Sequence, residues 1–254
     1  MVEKILFLQN GTLDLDRSVL TAGRGAGDRK TVPVYSTLVK AGEEYILIDT
    51  GLHPDGLTDP EGTWGARAKT VRPTIRKGEN IEERLNAAGI SCEMISKVIL
   101  THMHWDHTGG LKFFPHAKIV VQKAEHRYAF EPDDWIGGSY MKNHFDFPLD
   151  YLLVEGDAEL CEGVDLLFTP GHTPGHQSVL LTMADGRRCI IPGDAVYSFT
   201  NISDRIPPGN CWGTQEAILS LDKLRTLSRL LNAKIYPSHD PDPDYLLQAQ
   251  KDMQ

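Results

Sequence analysis

The chain has 254 residues, a formal net charge of -9, and 41% apolar against 24% charged side chains. That balance belongs to an ordinary globular protein with enough apolar material to bury a sizeable core. The negative charge disfavours nucleic acid and anionic membranes as general partners, and no apolar run approaches the roughly 20 residues of a spanning helix.

The start, Met1 to Asn10, is apolar, carries an acid and lacks a basic leader. It reads as a first strand and not as a signal peptide, so a cytoplasmic protein is expected. Cys92, Cys161, Cys189 and Cys211 form no C-x-x-C pair and read as reduced thiols. Gly23-Arg24-Gly25-Ala26-Gly27 has no leading strand, no following helix and no Lys-Ser/Thr. It is expected to be a mobile surface loop and not a phosphate cradle. Val32–Lys40 and Glu44–Ile48 read as strands, the second ending in Asp49-Thr50-Gly51. An acid at a buried strand end needs a partner, so Asp49 either supports a metal site or caps a turn. Residues 53–77 read as loop. Asn80 with Glu83 forms a capping box, Ile81, Leu85 and Ala88 give an inner stripe, and Gly89 ends that helix.

Lys97–Leu100 and Lys118–Val121 read as strands and Lys123–Phe130 as a helix. Residues 131–148, with Trp135, Tyr140, Phe145 and Phe147, read as an insertion that caps a site or packs on a partner subunit, which leaves a homodimer open. Strands follow at Tyr151–Val154, Val164–Phe168, Gln177–Thr182 and Arg188–Ile191, separated by Gly-containing turns. Thr214–Leu231 is the clearest helix, capped by Thr214. Ala217, Ile218, Leu221, Leu224, Leu227 and Leu231 recur at steps of three or four, and Leu230 widens the face. A strand at Lys234–Tyr236 leads to Pro237-Ser238-His239-Asp240, where Asp240 reads as a solvated tail acid. There is no repeat and no linker, so a single α/β domain over residues 1–254, with sheets covered by helices in layers, is expected.

The chemistry concentrates in His102-Met103-His104-Trp105-Asp106-His107, which follows the apolar run Val98-Ile99-Leu100 and precedes Thr108-Gly109-Gly110. The cluster therefore sits at the carboxyl end of a strand. A strand puts His102 and His104 on one face, while Asp106 and His107 need a loop to converge. Neutral imidazole and carboxylate suit zinc and similar divalent ions. Further candidates each follow a strand and have Gly, Pro or Ser beside them: His172, Asp194 and His239. Seven ligands exceed what one tetrahedral ion takes and suit two. His102, His104 and His172 would hold one ion, Asp106, His107 and His239 the other, with Asp194 bridging. Two ions a few ångströms apart clamp a hydroxide available at neutral pH, a hydrolytic arrangement. His176 reads as a supporting residue, and His116, His126 and His144 as ordinary polar side chains.

This ordered set resembles the metallo-β-lactamase superfamily over nearly the whole chain, from Asp49-Thr50-Gly51 to His239. The resemblance implies a four-layer αββα sandwich with a two-metal site at one edge. Antibiotic-cleaving members are exported and typically lack an acid where Asp194 stands. Glyoxalase-II-type thioesterases carry a helical carboxyl-terminal extension, which is not expected here because the sequence stops soon after His239, and nuclease relatives add a nucleic-acid-binding module. Asp194-Ala195-Val196-Tyr197 is similar to the quorum-quenching N-acyl-homoserine lactone lactonases, as are Pro33-Val34-Tyr35, Tyr140-Met141-Lys142 and Thr169–His176 with Gln177-Ser178. Pyridoxolactone lactonases share much of this.

The resemblance implies opening of the lactone ring of a small-molecule N-acyl-homoserine lactone by a hydroxide bridging two metals. Tyr197 would stabilise the oxyanion and contact substrate, Asp106 would carry a proton to the leaving oxygen, and Trp105 would contact the acyl chain. Zinc is the first expectation, with cobalt, manganese and iron also suited to these ligands. Chain-length preference would depend on the loop around Leu20 and the insertion near Tyr140. The alternatives are a dinuclear hydrolase of another lactone, ester or thioester, and a metal-bound binding protein without turnover.

Overall fold

Residues 1–136, 138–242 and 244–252 are described by a computed structural model. The elements run β1 (Val2–Asp16), α1 (Arg17–Leu20), β2 (Arg29–Ala41), β3 (Glu44–Ile48), α2 (Pro60–Trp64), α3 (Arg67–Thr70), α4 (Ile81–Ala87), β4 (Ile95–Ile99) and α5 (Trp105–Thr108). They continue with β5 (Lys118–Gln122), α6 (Lys123–Phe130), β6 (Asp150–Val154), β7 (Ala158–Cys161), β8 (Val164–Phe168), β9 (Gln177–Thr182) and β10 (Arg188–Ile191). The chain ends with α7 (Phe199–Asp204), α8 (Thr214–Leu231), β11 (Ala233–Ile235) and α9 (Asp244–Asp252).

Two sheets form, one ordered β1-β2-β3-β4-β5-β6 and one ordered β11-β10-β9-β8-β7. The inner strands β3, β4, β5, β9 and β10 are rich in apolar residues because both faces are covered. The period of two then sorts side chains between layers. Ile46, Ile48, Ile99 and Val120 point inward to meet Val179, Leu181, Cys189 and Ile191 of the other sheet. Leu47, Val98, Ile119 and Val121 point outward onto Ile81, Leu85, Leu111 and Phe114. On the far side Leu180 and Ile190 pack under Leu221 and Leu224 of α8. Helix, sheet, sheet and helix therefore enclose three apolar slabs, the expected αββα sandwich.

Several local expectations change. Asn80 accepts the Glu83 N–H (2.9 Å) and its amide bonds the Glu83 carboxylate (2.7 Å), as the capping box requires, but Ala88 lies outside the stripe and is exposed. Gly213, not Thr214, is the N-cap of α8, and it brings no side-chain cap. Leu230 is 77% exposed and points away from the sheet, so the face is narrower than its spacing suggests. β7 is an added strand at the edge of its sheet. Residues 53–77 contain α2 and α3. The Gly-rich segment at 23–27 is tied down before it by Ala22 N–H to Pro207 O (3.0 Å) and Gly209 N–H to Val19 O (2.9 Å), within it by an Arg24–Asp204 ion pair, and at its end by Gly27 N–H to Asp16 Oδ2 (2.7 Å) and Arg17 N–H to Asp28 O (2.7 Å). The aromatic insertion folds onto its own subunit, with Tyr140 and Phe145 buried in the outer slab, while Trp135 stays exposed.

Truncating the two leucines of α8 tests this burial map. Leu221→Ala should cost about 2–5 kcal/mol in urea unfolding, because it leaves a cavity under the helix. Leu230→Ala should stay within about 0.5 kcal/mol of the unaltered protein.

Candidate metal centre

The site is built where strand ends converge. β3, β4, β5 and β6 run parallel, so their carboxyl ends lie on one edge. In the second sheet β8 ends, β9 begins and β10 and β11 end on one edge, since β9 is antiparallel to β8 and β10 and β10 is parallel to β11. Cross-links join the two edges. Gln177 donates its N–H to Thr101 O (2.8 Å) and its side-chain amide to Leu100 O (2.8 Å). The loops after β4, β8, β10 and β11 thus meet, and they bring His102–His107, His172, Asp194 and His239 together. All seven candidate side chains are at most 7% exposed.

Two glycines permit the close approach. Gly171 has φ 138°, and a Cβ there would fall 2.3 Å from the Ala217 backbone of α8. Gly193 has φ 52°, and a Cβ would meet His176 Nε2 and Thr101 Cβ at 2.7 Å. Only glycine satisfies both demands.

Three groups of ligand-type atoms lie within 4.8 Å of one another: His102, His104 and His172; His102, His107 and Asp194; and Asp106, His107 and His239. Asp194 straddles the first and last. Its Oδ1 is 3.3 Å from both His107 Nε2 and His239 Nε2. Its Oδ2 is 3.4 Å from His172 Nε2 and 3.8 Å from His102 Nε2. Asp106 Oδ2 lies 3.9 Å from both His107 Nε2 and His239 Nε2.

The hydrogen bonds fix which ring nitrogen faces the cluster. His172 Nδ1 donates to Asn210 O (2.7 Å) and His239 Nδ1 to Pro33 O (2.7 Å). His107 Nδ1 donates to Asp49 Oδ2 (2.8 Å). Thr101 Oγ1 donates to Asp49 Oδ2 (2.8 Å) and so accepts from His102 Nδ1 (3.1 Å). Each of these four imidazoles then presents an Nε2 lone pair to the centre. His104 presents Nδ1, 3.0 Å from His172 Nε2. His102 Nε2, His107 Nε2, His239 Nε2 and Asp194 Oδ1 are buried without a hydrogen-bond partner. One orphaned buried polar atom costs about 1–3 kcal/mol. Several converging nitrogen lone pairs around a carboxylate are the donor set of a divalent cation, and the residues fit that group.

The electrostatics divide the set, and a cation would replace the proton that the carboxylates favour on His107 and His239. Burial drives the His102 and His104 pKa values well below the ordinary histidine range, and the neighbouring imidazoles add to this. Burial is the largest influence on His107 and His239 as well and opposes the proton, but the carboxylates together, Asp194 foremost and then Asp49 and Asp106 at His107 and Asp106 at His239, outweigh it and raise both. Burial alone would raise the Asp194 carboxyl; His107 and His239 hold it well below the usual range.

Asp49 emerges as the principal support. It adopts φ 58°, a left-handed conformation that Asp tolerates better than most residues. Both of its oxygens are used, Oδ1 by Thr101 N–H (2.8 Å) and Oδ2 by Thr101 and His107. His176 supports too, accepting the Asp194 N–H at Nε2 (3.0 Å); burial lowers its pKa to about 3. His144 departs from expectation. It is buried, stacks on His53 at 4.9 Å, and burial followed by the His53 charge takes its pKa to about 3. Asp240 is buried, not solvated, and accepts the N–H groups of Phe199 (2.8 Å) and Asp242 (2.9 Å).

Tyr197 stands over the cluster, its ring 5.7 Å from His172 and 5.1 Å from His239. Trp105 is 3% exposed, edge-on to Trp64 at 6.0 Å, with the Arg67 guanidinium above it at 6.0 Å. Leu20 belongs to the same apolar cluster. Sequence reasoning passed over Thr101, Glu125 and Arg67. None carries a local motif, and each acts through contacts distant in sequence.

The sequence pattern of the metallo-beta-lactamase superfamily matches residues 29–239. The chain belongs to this superfamily. Within it, the chain is 32% identical over 250 residues to the N-acyl homoserine lactonase AttM of Rhizobium radiobacter, covering 94% of each chain. It is 30% identical over 241 residues to the N-acyl homoserine lactonase AiiA of Bacillus thuringiensis subsp. kurstaki, again covering 94% of each. A solved N-acyl homoserine lactone hydrolase, with the product N-hexanoyl-L-homoserine bound at its catalytic metal centre, superposes with TM-score 0.87 at 28% identity, over 100% of this chain and 97% of that one. A Bacillus thuringiensis AiiA variant with N-decanoyl-L-homoserine at its active site matches equally, with TM-score 0.87, 28% identity and the same coverage. The chain is therefore a member of the N-acyl homoserine lactonase family.

Asp49 gives the sharpest test of the site. Asp49→Asn removes the anion behind His107 and should weaken metal retention about 10–100-fold in a chelator competition. Retention equal to that of the unaltered protein would separate Asp49 from the centre.

Proposed function

We propose that this chain hydrolyses the lactone ring of N-acyl-homoserine lactones at a centre of two divalent ions. The observation that carries the reading is the Asp194 carboxylate, one oxygen facing His107 and His239 and the other facing His172 and His102. A carboxylate so shared suits two ions better than one. His102, His104 and His172 would hold one ion, Asp106, His107 and His239 the other, and Asp194 both. Zinc is the first candidate; cobalt, manganese and iron fit the same donors. When bound, such a pair supplies Lewis acidity and a nucleophile at neutral pH.

The chain's own residues supply the rest. Burial, then the Asp194 and Asp106 charges, hold the Tyr197 pKa well above the ordinary tyrosine range. Tyr197 therefore keeps its proton and acts as a hydrogen-bond donor to the oxyanion that forms on the lactone carbonyl. Asp106 sits beside His107 and His239, where it can receive a proton and return it to the leaving alkoxide. Trp105, packed with Leu20 and Trp64 in a buried apolar cluster, is the side chain that the acyl chain would meet.

Ring opening of a neutral lactone yields an acid, so proton release on mixing with a short- and a long-chain acyl-homoserine lactone reports the reaction. Release should be fast and lost on chelation. No release from metal-loaded protein, with release on other esters or lactones, would reassign the substrate. Tyr197→Phe should lower kcat about 10²–10³-fold with metal content intact, the cost of removing one oxyanion donor. Unchanged turnover would remove Tyr197 from the mechanism. Trp105→Ala should raise KM for long chains more than for short ones, and an equal effect on both would make Trp105 purely structural.

A further inference from the structure

Two buried carboxylates outside the proposed ligand set lie against the centre. Asp49 backs the group containing His107 directly. The other is Glu125, on α6, which the mechanism above does not use. Its residue is 0% exposed. A buried carboxylate is costly unless every oxygen is satisfied, and Glu125 is fully satisfied. Oε1 accepts the Met103 N–H (2.9 Å) and the Tyr140 hydroxyl (3.0 Å). Oε2 accepts the Thr173 hydroxyl (2.6 Å) and the Gly175 N–H (3.2 Å).

The identity of these partners matters. Met103 lies between His102 and His104. Thr173 follows His172, and Gly175 lies three residues beyond it. Tyr140 sets its ring against His104 at 4.8 Å. One carboxylate thus ties the loop bearing His102 and His104 to the loop bearing His172. These three rings lie within 4.7 Å of one another, centroid to centroid. Gly175 is pressed onto the same helix: a Cβ there would fall 2.0 Å from Glu125 N. No partner of Glu125 comes from the loops bearing Asp194 or His239.

We infer that Glu125 is a positioning residue of the three-histidine site, setting the separation of the His102–His104 and His172 loops and adding a second negative charge behind imidazoles that otherwise face only the shared Asp194. The inference rests on the two-ion reading given above. The work is divided between two buried anions. Asp49 holds His107 directly and reaches His102 only through Thr101, whereas Glu125 joins the two loops of the group whose one carboxylate, Asp194, is shared with the other. A cation held by three imidazoles and a shared carboxylate in a dry site gains from a further anion behind the loops, and a fixed loop separation lowers the cost of gathering the ligands.

The test reads metal affinity and needs no substrate. Zinc-loaded protein is titrated with a competing chelator and the ions released per chain are counted. The unaltered protein should release two ions. Glu125→Gln, which keeps the shape and removes the charge, should weaken one ion about 10–100-fold and leave the other in place. In a His172→Ala background, where the three-histidine site is already broken, Glu125→Gln should leave the affinity of the remaining ion unchanged. Loss of both ions in step, retention of both at full affinity, or further weakening in the His172→Ala background would each overturn the assignment. If Glu125→Gln does not fold, Thr173→Val removes one of the donors and should loosen the same ion by a smaller factor; no shift would count equally against it. A single ion in the unaltered protein would instead defeat the two-ion reading, and this proposal with it, before any substitution is made.

Discussion

The Asp194 carboxylate is the point on which the structure turns. Five imidazoles and two carboxylates are withdrawn from water into a space where all are at most 7% exposed. Desolvating one ion costs several kcal/mol even after relaxation. The cost is tolerable only if charges and lone pairs face each other in fixed positions. Asp194 provides the shared anion, with each oxygen serving a different set of histidines. The outward-facing nitrogens of four histidines are occupied by Asn210 O, Pro33 O, Asp49 and Thr101. The rings therefore cannot turn away to find other partners, and the centre is organised by the protein before any cation is considered.

That organisation is a consequence of the layers. A ring of buried ligands needs loops that are short, sharply bent and anchored at both ends. The facing sheets supply these, since the strands before His102, His172, Asp194 and His239 all end on one edge. The tie from Gln177 to Thr101 and Leu100 makes the two edges one unit. Gly171 and Gly193 let the loops approach α8 and His176 at distances that a side chain would forbid. The apolar slabs and the polar centre are thus parts of one argument: both faces of each sheet are covered, so the strand ends are what remains for chemistry.

Much of this was legible in the sequence, and the boundary has physical causes. The ligand set was readable because it is local in spacing and each member follows an apolar strand. The layered fold was readable because doubly buried strands are continuous apolar runs. Leu230 was misread because a helix spacing of three and four does not fix how wide the covering sheet is. Asp240 reads as solvated because its neighbours are acidic, whereas it is buried and bonded to the N–H of Phe199, some forty positions earlier in the chain. Glu125 gave no signal at all. It sits in an unremarkable helix, and its four donors come from three distant segments. Supporting residues are set by tertiary geometry, and spacing along the chain does not record it.

On the proposed reading, selectivity and reaction would fall largely to different parts of the molecule. The proposed ligands and their supports lie between the sheet edges and contribute nothing that distinguishes one acyl chain from another. The part that could make that distinction is the apolar cluster of Leu20, Trp64 and Trp105, which Tyr197 joins to the centre. Its members come from segments outside the sheets. Leu20 is held through its carbonyl by Asn201 (2.9 Å). Trp64 fits against Gly56, where any side chain would meet its ring. Trp105 lies beneath Arg67, whose guanidinium also binds Gly138 O (3.0 Å) and Ser139 Oγ (2.7 Å). Ser139 in turn accepts the Trp105 N–H at its carbonyl (3.0 Å). The wall is therefore rigid at its base and built from connecting segments, which tolerate sequence change better than strands do. A change of substrate preference can arise there without disturbing the centre, whereas a change at the sheet edges alters the ligands themselves.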